Sequence, residues 1–258
     1  MVAKAMGAAE LTFPGAHSRH RKRTMVGRWD IVPAVRRLAL FDLDDTLVDR
    51  RGAFHTWAQE FAVTYGLDDR WVTWLDLVDA HRSGSMEQFF AAVRDQFALA
   101  ESVENLWRQY RRRMPELTTC PAVNLAALVE LRAAGWRIGI VTNGMADNQL
   151  GKIRSTGLAT LVDGWCISAD VGIRKPDPDI FRLAAQRCGA YAEGGWMVGD
   201  SLPLDVTGGH NAGLRTIWVT DPGLASVARE EGPEFFVEHV PEFVVESLPE
   251  AAAILLAQ

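Results

Sequence analysis

The sequence predicts an α/β fold: a doubly wound parallel sheet interrupted, after its first strand, by a unit made only of helices. Three observations predict it. Short apolar runs at 38–41, 136–141, 165–168, 196–198 and 216–219 alternate with helical patterns from residue 123 onward. The runs ending at Asp42, at Thr142-Asn143-Gly144 and at Gly199-Asp200-Ser201 are each followed by a helical pattern rather than by a second strand. Between the first run and the second, about 65 residues carry helical spacing and no strand pattern.

Leu38-Ala39-Leu40-Phe41 reads as a strand buried on both faces. Val48–Arg51 reads as a linker. Phe54, Trp57, Ala58, Phe61 and Ala62 then recur at helical spacing until Gly66 stops them. Trp71, Trp74, Leu75 and Val78 repeat the spacing, and Ser85 with Gln88 resembles a capping box opening a helix over Met86–Ala98. A fourth helix over Val103–Arg113 is expected to stop before Pro115.

A helix over Val123–Ala134 ends at Gly135 and feeds the strand Trp136–Val141, closed by Thr142-Asn143-Gly144. A helix to Ser155, Gly157 and a short strand at Trp165–Ser168 follow. In Lys175-Pro176-Asp177-Pro178, Asp177 is placed as N-cap and Pro178 as the first residue of a helix running to Gly189. The strand Trp196–Val198 opens into Gly199-Asp200-Ser201. A short helix at Leu204–Ala212, the strand Thr216–Val219, a weak strand at Phe235–Val237 and a helix at Ala251–Ala257 complete the chain.

At 258 residues and 48% hydrophobic content, the chain can bury a sizeable core. No apolar stretch approaches the ~20 residues of a membrane span, and no apolar segment follows the basic N-terminus. Cys120, Cys166 and Cys188 are widely spaced and odd in number, against a disulfide framework or structural zinc and in keeping with the cytoplasm. Net charge is −6, but residues 1–37 carry +6 and residues 38–258 carry −12. An acidic body argues against nucleic acid as a partner. The basic cluster His20-Arg21-Lys22-Arg23 is expected to lie in a flexible tail, or in an extension upstream of a start at Met25.

Asp42, Asp44 and Asp45 crowd into four residues at the end of the first strand. Alone they also admit a reading as turn and N-cap residues. In a doubly wound sheet, however, the loops at strand carboxyl ends converge on one crevice. Those loops carry Asp42 and Asp44, Thr142 with Asn143 and Gly144, Lys175, and Asp200 with Asp205. Crowded carboxylates repel unless a cation joins them, and Mg²⁺ takes one or two carboxylates with waters and phosphate oxygens. A lysine beside such a cation offsets the charge of a phosphoryl transition state. The chain has only four lysines against 23 arginines, which singles out Lys175.

Asp-Leu-Asp-Asp-Thr, Val-Thr-Asn-Gly, Lys-Pro-Asp-Pro and Gly-Asp-Ser with Asp205 resemble, in order and strand-end position, the four motifs of the haloacid dehalogenase superfamily. The resemblance spans 38–219 and implies a Rossmann-like core of its phosphatase branch. It further implies Asp42 as nucleophile, Asp44 as general acid and base, and Thr142 and Lys175 as phosphoryl-binding groups. Mg²⁺ would be held by Asp42, the Asp44 carbonyl and Asp200. Asp205 would be either a water-mediated ligand or a partner of Lys175. Asn143 and Gly144 would serve substrate binding.

One hundred residues separate Asp42 from Thr142, placing the helical unit where a type-1 helical cap is inserted. The expected division is 1–37 as extension, 38–49 with 117–258 as catalytic core, and 50–116 as cap. Arg50, Arg51 and His55 are cap candidates for substrate contact; Trp71 and Trp74 are expected in the cap core, and His81 and Arg82 on the surface. The expected substrate is a small phosphorylated metabolite, handled by a cytoplasmic monomer or homodimer. Other readings are a sugar-phosphate mutase, a dehalogenase (which lacks the second aspartate), and a non-catalytic receiver-like phosphate binder (which lacks a cap).

Overall fold

The computed structural model describes residues 37–81, 84–220, 222 and 239–258. The basic N-terminal cluster, Arg82 and the expected strand Phe235–Val237 fall outside these residues.

The apolar runs form one parallel six-stranded sheet, in the order β3-β2-β1-β4-β5-β6. The strands are β1 Leu38–Phe41, β2 Arg137–Thr142, β3 Gly164–Ile167, β4 Trp196–Gly199, β5 Arg215–Val219 and β6 Phe243–Val245. On β1, Ala39 and Phe41 enter one apolar cluster while Leu38 and Leu40 enter another. Both faces are therefore covered, which is why the strand reads as an unbroken apolar run. The first face is backed by α5 (Ala122–Ala133), α6 (Ala146–Ser155) and α10 (Leu248–Leu256), through Leu128, Ile153 and Ala251. The second is backed by α8 (Pro178–Arg187), through Ile180, Phe181 and Ala184. The short helices α7 (Ser168–Val171) and α9 (Thr207–Asn211) fill connections.

From β1 the chain moves outward to β2 and β3, then returns to the other side of β1 as β4. The carboxyl ends of β1 and β4 thus meet where the strand order reverses, the place at which open α/β sheets bind ligands.

The helices α1 (Arg50–Tyr65), α2 (Asp69–Ala80), α3 (Met86–Gln96) and α4 (Val103–Leu117) build a separate apolar cluster rich in aromatic rings. Trp57 packs edge-on to Tyr110 and Phe90 at its centre, and Trp71 and Trp74 pack against Phe97. Gly66 closes α1 in the left-handed conformation, and Ser85 with Gln88 forms the expected capping box. His81 is exposed. The unit leaves and rejoins the sheet through adjacent segments, since the Asp49 N–H donates to the Thr119 carbonyl at 2.9 Å.

Four sequence expectations are corrected. Arg50 and Arg51 belong to helix rather than linker, because the Asp49 carboxylate caps α1 by accepting from the Gly52 N–H at 2.8 Å. Helix α4 continues through Pro115: in the last turn only one backbone bond is lost, and the Thr118 N–H still reaches the Met114 carbonyl at 2.9 Å. The helix expected at Leu204–Ala212 is a π-turn over Leu202–Val206 followed by α9. A sixth strand stands at Phe243–Val245, three residues on the sheet edge and too short to show a pattern. Other boundaries differ by one to three residues.

Candidate active site

Asp42 continues β1 by one residue, its N–H donating to the Val198 carbonyl at 2.9 Å. The chain then turns sharply: Asp45 adopts a φ of 59°, and the Leu47 and Val48 N–H groups both donate to the Leu43 carbonyl. Aspartate tolerates that left-handed conformation better than most residues. The turn leaves Asp42 buried at the sheet and Asp44 facing α6.

Lys175 is 3% exposed, and its ammonium donates to Asp42 Oδ1 at 2.5 Å and to Asp205 Oδ1 at 2.7 Å. Its backbone is pinned by Asn143, whose amide donates to the Lys175 carbonyl at 3.0 Å and accepts from the Lys175 N–H at 2.9 Å. Asp205 folds back from the π-turn over the end of β4 and also accepts from the Ser201 N–H. A Cβ at residue 199 would come within 2.3 Å of the Asp205 carboxylate, so this approach requires glycine. Asp200 accepts from Thr46 Oγ1 at 3.5 Å, while its carbonyl accepts from the Trp218 indole at 2.9 Å.

Oxygens of Asp42, Asp200 and Asp205 lie within 4.8 Å of one another. Burial raises the Asp42 carboxyl well above its ordinary range, and the charges of Asp205 and Asp200 add to this; Lys175 opposes it. Burial, with Asp205 and Asp45, pushes Asp200 up to about 7. Burial alone would lower the Lys175 ammonium, but Asp205 and Asp42 raise it. Three carboxylates thus crowd beside one ammonium, which bonds two of them, and a divalent cation with oxygen ligands would neutralise the excess. These donors fit such an ion.

Asp44 behaves differently. Burial would raise its pKa, but Lys152 and Arg50, with hydrogen bonds from Lys152 and Gln149, hold it below the ordinary value. Lys152 Nζ donates to Asp44 Oδ1 at 2.7 Å, and Gln149 Nε2 donates to Oδ2 at 3.0 Å. The same Gln149 nitrogen donates to Thr142 Oγ1 at 2.6 Å. Gly144, at a φ of 155°, makes room for this arrangement, because a Cβ there would meet Gln149 Cγ at 2.9 Å. The Gly144 N–H is itself engaged by Ser168 Oγ at 3.0 Å.

A cavity of about 560 Å³ lies between the helical unit and the sheet, lined among others by Asp44, Arg50, Trp107, Arg111, Asn143 and Lys152. Arg50 forms two 2.6 Å bonds to Asp79 of α2. Arg51 is mostly exposed beside Asp45 and borders a second cavity, which Asp200 and Thr46 also line. His55 is half exposed, pairs with Asp76 at 2.7 Å and borders neither cavity. Hydrogen bonds and short approaches bring together Asp42, Lys175, Asp205 and Asp200 on one side and Asp44 and Thr142 on the other. Of the predicted site residues, Asp44, Asn143, Gly144 and Arg50 line the first cavity, and Arg51 and His55 do not.

Sequence reasoning missed Gln149 and Lys152. A signal was present: Gln149, Lys152 and Ile153 share the buried face of α6, so two polar residues occupy core-facing positions.

A family model for haloacid dehalogenase-like hydrolases matches residues 39–219. Phosphoserine phosphatase of Thermus thermophilus is 32% identical over 197 residues, 73% of this chain and 76% of that one. Glyceraldehyde 3-phosphate phosphatase of Pyrococcus abyssi is 28% identical, over 70% of this chain and 80% of that one. A haloacid dehalogenase-type phosphatase of Thermococcus onnurineus superposes with a TM-score of 0.58 at 25% identity, covering 85% of this chain and 97% of that one.

Proposed function

The chain belongs to the haloacid dehalogenase-like hydrolases, in their phosphatase branch, and on that premise we propose that it is a Mg²⁺-dependent phosphatase of small phosphomonoesters, working through an aspartyl-phosphate on Asp42. The observation that carries the reading is Lys175, a buried ammonium bridging Asp42 to Asp205 beside Asp200.

In this reading the negative charge of the incoming phosphate favours a protonated Asp44 over the ionised form that Lys152 and Arg50 hold in the free site. A carboxylate oxygen of Asp42 then bonds to phosphorus as the bond to the leaving oxygen breaks, and Asp44 gives that oxygen its proton. Water then attacks phosphorus and yields its proton to Asp44. The bond from phosphorus to Asp42 breaks, releasing inorganic phosphate and leaving Asp42 as the carboxylate and Asp44 protonated, as at the start. Lys175 and the Thr142 hydroxyl meet the charge that spreads over the phosphoryl oxygens. Asp42, Asp200 and the Asp44 carbonyl would hold Mg²⁺, with Asp205 anchoring Lys175; when bound, the ion would add charge neutralisation at those oxygens.

Helices 50–116 are read as the cap over 38–49 and 117–258, with Arg50 on the substrate side and residues 1–37 as an extension. A cavity of about 560 Å³ suits a small metabolite, and two relatives are named for phosphoserine and glyceraldehyde 3-phosphate. A panel of phosphorylated metabolites, assayed with Mg²⁺ and after chelation, tests the reading. Hydrolysis lost on chelation and restored by Mg²⁺ is expected; full activity after exhaustive chelation would contradict it.

A further inference from the structure

Lys152 is 2% exposed and Gln149 is 1% exposed. Burying a lysine is costly unless its charge is met, and here the ammonium meets Asp44 at 2.7 Å. The Gln149 amide has two N–H groups, and its nitrogen reaches two acceptors, Asp44 Oδ2 and Thr142 Oγ1. An ionised carboxylate only accepts, so the amide must present its nitrogen to Asp44. Thr142 Oγ1 then accepts from Gln149, which turns its own O–H proton away from that bond and toward another acceptor.

Both carboxylate oxygens of Asp44 are thereby fixed from one helix, three residues apart. We propose that Lys152 and Gln149 are positioning residues for the reaction: they hold the Asp44 carboxylate in register with the leaving oxygen and turn the Thr142 hydroxyl toward the phosphoryl group. This rests on the reading of Asp44 as acid and base. Asp44 stands on a turn beyond the strand end, and both of its carboxylate oxygens are held by side chains of α6. Proton transfer needs a heavy-atom approach of about 2.6–3.2 Å, and a misplacement of about 1 Å can cost about 10²-fold.

The alternative is that Lys152 merely neutralises a buried charge and contributes to folding alone. Phenyl phosphate and p-nitrophenyl phosphate separate the two, because the more acidic nitrophenol departs with less need of a proton. Lys152→Met and Gln149→Leu are compared with Asp44→Asn, with Lys152→Arg as the conservative variant and Lys152→Met/Asp44→Asn as the double variant. For Lys152→Met, a kcat loss of about 10²-fold on phenyl phosphate, a much smaller loss on p-nitrophenyl phosphate and a nearly unchanged KM are expected. Lys152→Arg should recover part of the loss, and Lys152→Met should add almost nothing once Asp44 is Asn.

Equal losses on both substrates, or a full additional loss in the double variant, would overturn the proposal. If Asp44→Asn itself shows no leaving-group dependence, the acid–base reading falls and the proposal with it. If Asp44→Asn shows that dependence and Lys152→Met and Gln149→Leu do not, the positioning role alone falls. Should Lys152→Met fail to fold, Gln149→Leu and Lys152→Arg carry the same comparison.

Discussion

At Lys175 one ammonium is shared by two buried carboxylates, and replacing it with methionine leaves Asp42 and Asp205 facing each other unpaired. Breaking a buried pair from one side costs roughly 3–5 kcal/mol. Lys175→Met should therefore lose about that much stability in denaturant titrations without metal, and less with a divalent cation present; an unchanged midpoint would show that the ammonium is not needed there. The residues at this spot were legible because each ends an apolar run: Asp42 after β1, Thr142 closing β2, Asp200 after β4. Lys152 and Gln149 were not, because their partner Asp44 lies more than 100 residues away in the chain. Helical spacing shows which face is buried but not what a polar group on it will meet.

Helix α6 has two faces with two uses. Gln149 and Lys152 turn toward Asp44, whereas Asp147, Gly151 and Ser155, spaced by four, turn toward α4 of the helical unit. Arg111 reaches Asp147 at 3.3 Å, and Ser155 Oγ donates to the Pro115 carbonyl at 2.6 Å. A Cβ at Gly151 would lie 2.6 Å from Pro115 Cγ, so the two helices touch where one has glycine and the other a proline ring. Gly151→Val should push α4 off this seat, raise KM several-fold through the cavity between them, and destabilise by roughly 1–3 kcal/mol. Unchanged KM and stability would show that the seat is loose. The same contact explains why Pro115 misled the reading of α4: the ring is accommodated by a helix distant in sequence. The side of α1 that faces the cavity is equally illegible in the sequence: Arg50, Arg51 and His55 read alike, although only Arg50 lines it. The first strand and the four-helix insertion, by contrast, followed from apolar spacing alone.

For the molecule as a whole, the crowded carboxylates tie stability to pH and metal. Without metal, the folded state keeps a proton on Asp200 up to about pH 7, whereas the unfolded chain gives it up near its ordinary 3.8. The folded state thus binds more protons between those values, and stability falls as pH rises through that window. Asp42 acts in the same direction. Asp44, held below its ordinary value, opposes them only under more acid conditions, where its contribution is lost as pH falls through its folded pKa. A divalent cation relieves the repulsion, so Mg²⁺ should raise the melting temperature more at pH 8 than at pH 5. At a hundredfold excess over Kd the gain is about 2.7 kcal/mol, several degrees for a chain of this size. Equal stabilisation at both pH values would contradict this electrostatic account.

The central claim is that Asp42 carries the phosphoryl group while Asp44 moves protons. Rapid-quench mass spectrometry of the enzyme during turnover tests it most directly, with Asp42→Asn and Asp44→Asn run in parallel. Uncatalysed phosphomonoester hydrolysis is so slow that enzymes accelerate it by up to ~10²¹, so Asp42→Asn should show no turnover and no phosphoryl-enzyme. With an aryl phosphate, Asp44→Asn should still accumulate phosphoryl mass on the peptide containing Asp42. Phosphoryl mass on Asp44, or turnover by Asp42→Asn, would contradict the account.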